Sequence, residues 1–295
     1  MKLISTTFFT AMIAAETALA ATTTLSGTGS FRVDIKDNQP DFTVFGSNSS
    51  TSIVLGGIAE VDATGTLSSN IISSLSSAKL AFSGASDVTL GSVAATQVTF
   101  SGAVDVGPTL SAFKANVEVK AWVFKESGSF TDGDTNATTT AKADTFKWTV
   151  KIDGWKFANP TNKLRITADV KAAASGQAGT RSGATHSLSR TRSGRLGVEQ
   201  SGSVTSKTEG EFKFTYPRTC VADGTQANVD IDVSSSTTHT MTFAKFDNTL
   251  VYDPTVESTA ESSTTAGSDD SAASKSVSPS AVAMATASAF LLFLF

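Results

Sequence analysis

The chain has 295 residues, and its 27 acidic and 23 basic side chains give a formal net charge of −4. This mild acidity argues against nucleic-acid binding, which depends on an excess of Lys and Arg to neutralise phosphates. Cys220 is the only cysteine, so no internal disulfide can form and core packing must hold the fold together. We expect Cys220 to be buried as a small hydrophobic side chain, with a bridge to another chain as the alternative.

The first twenty residues have the pattern of a secretory signal peptide. Lys2 precedes an apolar run from Leu3 to Ala15, and Ala18 and Ala20 supply the small residues of a cleavage site. We expect cleavage after Ala20, which would place the rest of the chain outside the cell.

Period-two alternation dominates the interior of the chain and is clearest at residues 146–153, where apolar and polar side chains strictly alternate. This pattern predicts strands with one buried and one solvated face, which is typical of antiparallel sheets. The sequence therefore predicts an all-β protein, an antiparallel β-sandwich that is either one large domain or two modest ones. Residues 21–130 would form an N-terminal β region and residues 143–254 a C-terminal sandwich module. Whether the two halves share one core stays open.

A weak internal repeat offers an alternative for the N-terminal half. The pattern of residues 80–88 recurs at residues 98–106, and both copies contain the motif Ser-Gly-Ala-x-Asp-Val. The motif resembles the coils of the head domain of some bacterial adhesin-like proteins, which implies a stacked β-solenoid. Two hairpins of similar length would produce the same pattern.

Glu60 and Asp62 belong to the stretch Glu-Val-Asp-Ala-Thr-Gly, which resembles the catalytic signature of laminarinase-type β-glucanases. The resemblance implies carboxylates that cleave a polysaccharide, but Gly65 occupies the last acidic position, so the acid/base is missing. Alternation instead predicts an outward polar edge of a strand for Glu60 and Asp62. We therefore assign no catalytic residue.

The three tryptophans differ in their predicted exposure. Trp148 shares its face with apolar residues and is expected in the core, and Trp155 is expected to cover the core edge. Alternation places Trp122 on the same strand face as the polar residues Glu118 and Lys120, so it is the candidate for an exposed aromatic that binds sugar.

Residues 127–142 are polar and predict a loop or a boundary between the halves. Asp132, Asp134 and Asn136 have the spacing with which calcium loops begin, but the turn glycine and the bidentate glutamate of such loops are absent. We expect a solvated acidic turn, with no metal and no cofactor.

Two sequons are available for N-glycosylation, and we expect glycans on Asn48 and Asn136. Residues 173–195 form a second polar stretch with several arginines. We expect a solvated loop there, with a basic processing site or the binding of an acidic ligand as alternatives.

The C-terminal region combines three elements of a glycosylphosphatidylinositol (GPI) attachment signal. Ser271 opens a triplet of small residues, a polar spacer follows, and residues 281–295 are apolar but shorter than the roughly 20 residues that a spanning helix needs. We expect a lipid anchor at Ser271, with Gly267 and Asp270 as alternative sites. A discarded signal would then cover residues 272–295 and a Ser/Thr-rich stalk residues 255–271.

This layout resembles GPI-anchored, Ser/Thr-rich cell-surface and cell-wall proteins of fungi and oomycetes. The resemblance implies a location at the extracellular face of the plasma membrane or in the cell wall. We expect a surface glycoprotein with a structural or adhesive role, with surface or wall polysaccharide as a candidate partner and contact with the membrane through lipid. The alternative is a polysaccharide-active glycoside hydrolase.

Overall fold

The computed structural model describes residues 22–36, 38–107, 113–173, 197–201 and 203–259. The predicted signal peptide, the arginines of the basic loop, the stalk from residue 260 onward and the predicted attachment site Ser271 lie outside the described residues. Within the described part of the chain the regular structure consists of β-strands, and no helix there could cross a membrane.

The strands of the N-terminal half are β1 (Thr22–Ser26), β2 (Arg32–Lys36), β3 (Asp41–Phe45), β4 (Ser50–Val61), β5 (Leu67–Ile72), β6 (Ala81–Phe82), β7 (Ser86–Leu90), β8 (Val93–Val106) and β9 (Phe113–Phe124). A hairpin follows, made of β10 (Gly128–Thr131) and β11 (Thr138–Ala141). The remaining strands are β12 (Thr145–Asp153), β13 (Lys163–Ala173), β14 (Gly197–Ser201), β15 (Val204–Glu209), β16 (Phe212–Pro217), β17 (Thr219–Ala222), β18 (Thr225–Asp232), β19 (Thr238–Phe243), β20 (Thr249–Tyr252) and β21 (Thr255–Ser258).

The antiparallel pairings define two layers of a sandwich. The first layer has the order β1-β2-β3-β4-β13-β19-β18, with β5 beside the C-terminal part of β4. In the second layer β7 and β6 lie one after the other along one edge of β8, and β9 lies along its other edge, followed by β12. Strands β20 and β21 both pair with β12, and β17 and β16 continue the layer beyond them. The all-β antiparallel prediction is confirmed.

Strand β18 connects the two layers. Its first half pairs with β17 of the second layer, and residues 229–232 pair with β19 of the first layer. A strand that changes layers in this way closes one corner of the sandwich.

One cluster of buried side chains fills the space between the layers. It takes Phe42 from β3 and Phe146 and Trp148 from β12, and the rings of Phe42 and Phe146 lie 5.0 Å apart between centroids. Phe243 of the first layer meets Tyr252 of the second at 5.0 Å. The N-terminal and C-terminal halves therefore share one core, which answers the question that the sequence left open.

The solenoid alternative for the N-terminal half is wrong. The two copies of the repeat lie on β6, β7 and β8, and β7 pairs with β8 in antiparallel register, with Ser86 opposite Gln97. A solenoid would stack its coils through parallel strands. The repeat instead arises from neighbouring strands of one sheet that carry similar small residues.

Two segments predicted to be irregular are strands. Residues 128–131 and 138–141 form the β10–β11 hairpin, and its Phe130 is buried against the outer face of the second layer. Residues 255–258, predicted as the start of the stalk, form β21, whose Val256 is buried opposite Phe146 and Phe214. All three strands are mainly polar in sequence, so only the pairing of β10 with β11 and of β21 with β12 and β16 reveals them.

Candidate ligand-binding pocket

Strand β12 is buried on both of its faces at its centre. Trp148 points into the core, while Lys147 and Thr149 on the opposite face are only 2% and 1% exposed. The β10–β11 hairpin and the loop between its strands cover this second face, and Lys147 contacts Asp132 from that loop. The face that alternation predicts to be solvated therefore holds a buried charge.

Lys147 is paired with two carboxylates. Its Nζ donates to Asp132 and lies 3.3 Å from Oδ2 of Asp253. The ammonium also lies 4.9 Å from the ring centroid of Trp122, where a cation is attracted to the aromatic face. A buried cation needs such partners, because water is not available to solvate it.

Asp132 is buried, so the prediction of a solvated turn is wrong at this residue. Its Oδ1 accepts the backbone N–H groups of Asp134 at 2.9 Å and Thr135 at 3.3 Å. Burial acts to raise the pKa of Asp132, but the charge of Lys147 and these hydrogen bonds outweigh it, so the pKa lies below its ordinary value. Asp134 pairs separately with Lys120 at 2.6 Å. Among the described residues, no group of His, Cys, Asp and Glu side chains is arranged to hold a metal.

Asp253 is the second carboxyl group of the cluster, and its pKa is shifted in the opposite direction from that of Asp132. Its Oδ1 accepts the hydroxyl of Thr149. Burial raises the pKa of Asp253 above its ordinary value, and the attraction of Lys147 only partly opposes this effect. The cluster therefore contains one carboxyl group with a lowered pKa and one with a raised pKa.

Lys147 and Asp253 lie at the edge of a cavity of about 270 Å³. The cavity lies between the β10–β11 loop and strands β17 and β20, and most of its wall is apolar or carries hydroxyl groups. Its lining residues are Thr135, Ala137, Thr139, Lys147, Pro217, Thr219, Cys220, Val221, Gln226, Val251, Asp253 and Thr255. We call this cavity the Asp253 pocket.

Cys220 is one of the residues along the Asp253 pocket, and its side chain belongs to the main core. It is 6% exposed, which confirms the predicted burial. Burial raises the pKa of the thiol to about 11, so it remains protonated at neutral pH.

A second buried polar cluster lies between the layers. His239 of β19 is fully buried, with Nε2 3.3 Å from Nζ of Lys207 and Nδ1 beside the hydroxyl of Tyr216. Nε2 also lies 3.6 Å from Oε1 of Glu209, so this ring nitrogen is next to both an ammonium donor and a carboxylate acceptor. Lys207 also pairs with Glu209 at 2.7 Å. Burial acts to raise the pKa of Glu209, but contacts with His239 and Lys207 outweigh it and the pKa lies below its ordinary value.

Glu60 does not lie on an outward polar edge. It is fully buried, and its carboxylate accepts the side-chain amides of Asn70 at 2.7 Å and Asn162 at 2.6 Å and the backbone N–H of Ala158 at 2.9 Å. In the β-glucanase-like stretch, Glu60 thus stabilises the loop before β13. Asp62 separately stabilises its own turn by accepting hydrogen bonds from Thr64.

A β-bulge explains the direction of Glu60. Residues 56–57 of β4 lie opposite the single residue Thr167, and the register with β13 shifts there. Leu55 points inward before the bulge and Ile58 points inward after it. Glu60 is two positions beyond Ile58, so it also points inward. Alternation alone cannot show such an extra residue.

The predicted exposure of Trp122 is wrong. This side chain is 5% exposed, and its Nε1 donates to Oε1 of Gln97 at 2.8 Å. It lies under the β10–β11 hairpin beside Phe130, on a face that the sequence predicts to be open. Trp148 and Trp155 are buried as predicted. Among the described residues, the exposed large hydrophobic side chain is Leu67.

An open groove of about 370 Å³ lies on the outer face of the second layer. Two carboxylates line it, Glu118 from β9 and Asp153 from β12, with Lys151 directly opposite Glu118 in the strand register. Asp153 also accepts the hydroxyl of Thr249 at 2.6 Å. The sequence offers no signal for this pair, because the two residues come from strands that only the pairing brings together.

The predicted glycosylation residues Asn48 and Asn136 are both exposed, and Asn136 has a positive φ of 54° in the β10–β11 loop. Their glycosylation stays a prediction. No protein-family model matches this chain, and a search of curated proteins found no match to its sequence.

Proposed function

We propose that this protein is a secreted, GPI-anchored surface glycoprotein whose β-sandwich has a structural or adhesive role. The observation that carries the proposal is the order of segments along the chain. The described strands run from Thr22 to Ser258, between a predicted signal peptide and a Ser/Thr-rich segment that leads to the predicted attachment site Ser271.

The properties of these segments support display of the sandwich at a surface. Between residue 260 and the predicted attachment site no aromatic residue is present, so the segment has little apolar surface to bury and suits a stalk. Asn48 and Asn136 lie exposed in loops of the sandwich, where a glycan would not disturb the core. A sandwich on a stalk presents its loops and outer faces to the wall or to another surface.

The location is tested on intact cells that express the chain. We expect phosphatidylinositol-specific phospholipase to release the protein into the medium, and a variant truncated after Ser280 to be secreted without any anchor. A known GPI-anchored protein on the same cells serves as the control for the enzyme. Retention of this chain on the membrane while that control is released would contradict the proposed anchor.

A glycoside hydrolase is the second candidate function, and the groove with Glu118 and Asp153 is the observation that favours it. Two carboxylates in one groove are the elements that most glycosidases use as acid and as nucleophile or base. Release of reducing sugar from wall glucans, lost in Glu118→Gln and Asp153→Asn but kept in the exposed control Asp105→Asn, would establish it. Absence of any release from a panel of wall polysaccharides by the native protein would argue against this candidate.

A further inference from the structure

The ionic cluster beside the Asp253 pocket has one carboxyl group more than it has cations. Asp132 and Lys147 are 4% and 2% exposed and in direct contact, so their opposite charges balance. Asp253 is the remaining acid, and its side chain is 17% exposed. Asp253 lines the pocket whereas Asp132 does not. The uncompensated carboxyl group is therefore the one that a ligand can reach.

The charges around the pocket favour a cationic ligand over an anionic one. Lys147 and Asp253 are the charged residues among the lining side chains, all of which belong to the described part of the chain. The ammonium of Lys147 already contacts two carboxylates and lies over Trp122. An anion entering the pocket would meet Asp253 without a free cation, whereas a cation would find a carboxylate that lacks a full counter-charge.

The walls of the pocket favour an apolar body on such a ligand. Pro217, Val221 and Val251 form an apolar surface on β16, β17 and β20, while threonine hydroxyls stand around it. A volume of about 270 Å³ is just below the usual range for small-molecule sites, which suits a ligand of a few carbon atoms. We propose that the Asp253 pocket binds a small amphipathic organic cation, a primary amine whose ammonium group donates to Asp253 and whose apolar body packs on Val221 and Val251.

The protonation of Asp253 makes this binding dependent on pH. Burial raises the pKa of Asp253, and the neutral acid cannot pair with an ammonium group. The ionisable groups that act on Asp253 are Lys147 on β12 and Asp132 in the β10–β11 loop, and the buried Cys220 on β17 and Tyr252 on β20 are nearby. Burial raises the pKa of both the Cys220 thiol and Tyr252, so neither loses its proton near neutral pH. Affinity should therefore fall as pH falls through the pKa of Asp253.

The test uses three probes of one shape and different charge, cyclohexylamine, cyclohexanol and cyclohexanecarboxylate. Binding is measured by saturation-transfer NMR on the mature protein, purified from a host that processes the signal peptide and the C-terminal attachment signal. We expect the amine to bind with a dissociation constant on the order of 1 mM, as suits so few atoms. The alcohol should bind roughly ten- to a hundredfold more weakly, because it lacks a charge-assisted hydrogen bond, and the carboxylate should not bind.

Two variants locate the binding in this pocket. Asp253→Asn should remove the preference for the amine over the alcohol, while Asp230→Asn, at an exposed ion pair with Lys163, should leave it unchanged. Ala137→Trp places a large side chain at the exposed rim of the pocket and should abolish binding of both the amine and the alcohol. Ala63→Trp in another exposed turn is its control.

The outcomes separate clearly. Equal binding of the carboxylate and the amine, or no binding of the amine to the native protein, overturns the proposal. If Asp253→Asn folds and still prefers the amine, the assigned carboxylate is wrong. If Asp253→Asn does not fold, Ala137→Trp decides, because a folded variant that still binds the amine places the site elsewhere. These results do not depend on the proposed lipid anchor, which only the phospholipase experiment tests.

Discussion

At the scale of single residues, the described structure buries several ionisable side chains at points where polar partners converge. Lys147, Glu60 and His239 are all buried, and each contacts several polar groups from distant parts of the chain. Their burial follows from those partners rather than from the character of each residue.

Lys147→Met tests how much the fold depends on one buried cation. The substitution keeps most of the apolar stem but leaves Asp132 and Asp253 close together without a counter-charge. We expect a loss of about 3–5 kcal/mol in the free energy of unfolding, measured by urea denaturation at neutral pH. The loss should shrink in acid, where both carboxyl groups bind protons.

The matched control is Lys114→Met on β9. Lys114 pairs with Asp105 at 3.3 Å and is 63% exposed, so its loss should change stability by less than about 1 kcal/mol. If both variants have the same urea midpoint, the buried cluster does not stabilise the native state as described.

At the scale of elements, the β10–β11 hairpin converts a solvated strand face into a buried one. Phe130 packs against Phe124 with 5.6 Å between ring centroids and belongs to a cluster that also includes Trp122. This small cluster lies on the outer face of the second layer and is separate from the main core. The hairpin can therefore be weakened without direct damage to the sandwich interior.

Phe130→Ala should release the hairpin before the rest of the fold. Truncation of a buried Phe costs about 3–5 kcal/mol, and the main core does not contain this side chain. We expect faster amide hydrogen exchange over residues 128–141 and greater quenching of Trp122 fluorescence by iodide. The neighbouring exposed Thr131→Ala should leave both unchanged, and uniform exchange across the sandwich in Phe130→Ala would contradict a separately stable hairpin.

At the scale of the whole molecule, stability should pass through a maximum on acidification. Asp132 and Glu209 have lowered pKa values in the folded state, so their stabilisation is present above their ordinary values of 3.8 and 4.5 and is lost as pH falls through the folded values. Asp253 has a raised pKa, so its contribution is greatest below 3.8 and is lost as pH rises through its folded value.

Urea denaturation between pH 3 and pH 8 measures this profile. We expect the free energy of unfolding to fall on the acid side, and Glu209→Gln to flatten that side. Asp253→Asn should flatten the decline toward neutral pH while keeping the acid side. A native profile that rises steadily to pH 8 would contradict the raised pKa of Asp253.

Much of the fold class follows from local patterns in the sequence. Alternation in β12 predicts the inward face of Trp148, and the turn after it predicts the covering position of Trp155. The same reasoning fails at Glu60, because the bulge at residues 56–57 reverses the faces beyond it, and at Trp122, because the β10–β11 hairpin covers that face of β9.

The sequence by itself determined that this protein is an all-β sandwich with Trp148, Trp155 and Cys220 buried, because alternation and side-chain apolarity are local properties that a single strand displays. The tertiary structure decided that both halves share one core, that β21 belongs to the sheet, and that two carboxylates meet at Lys147. These features depend on contacts between residues about 15 to more than 100 positions apart along the chain. No local pattern encodes such pairings, since each strand can satisfy its hydrogen bonds with many partners until the whole core is packed.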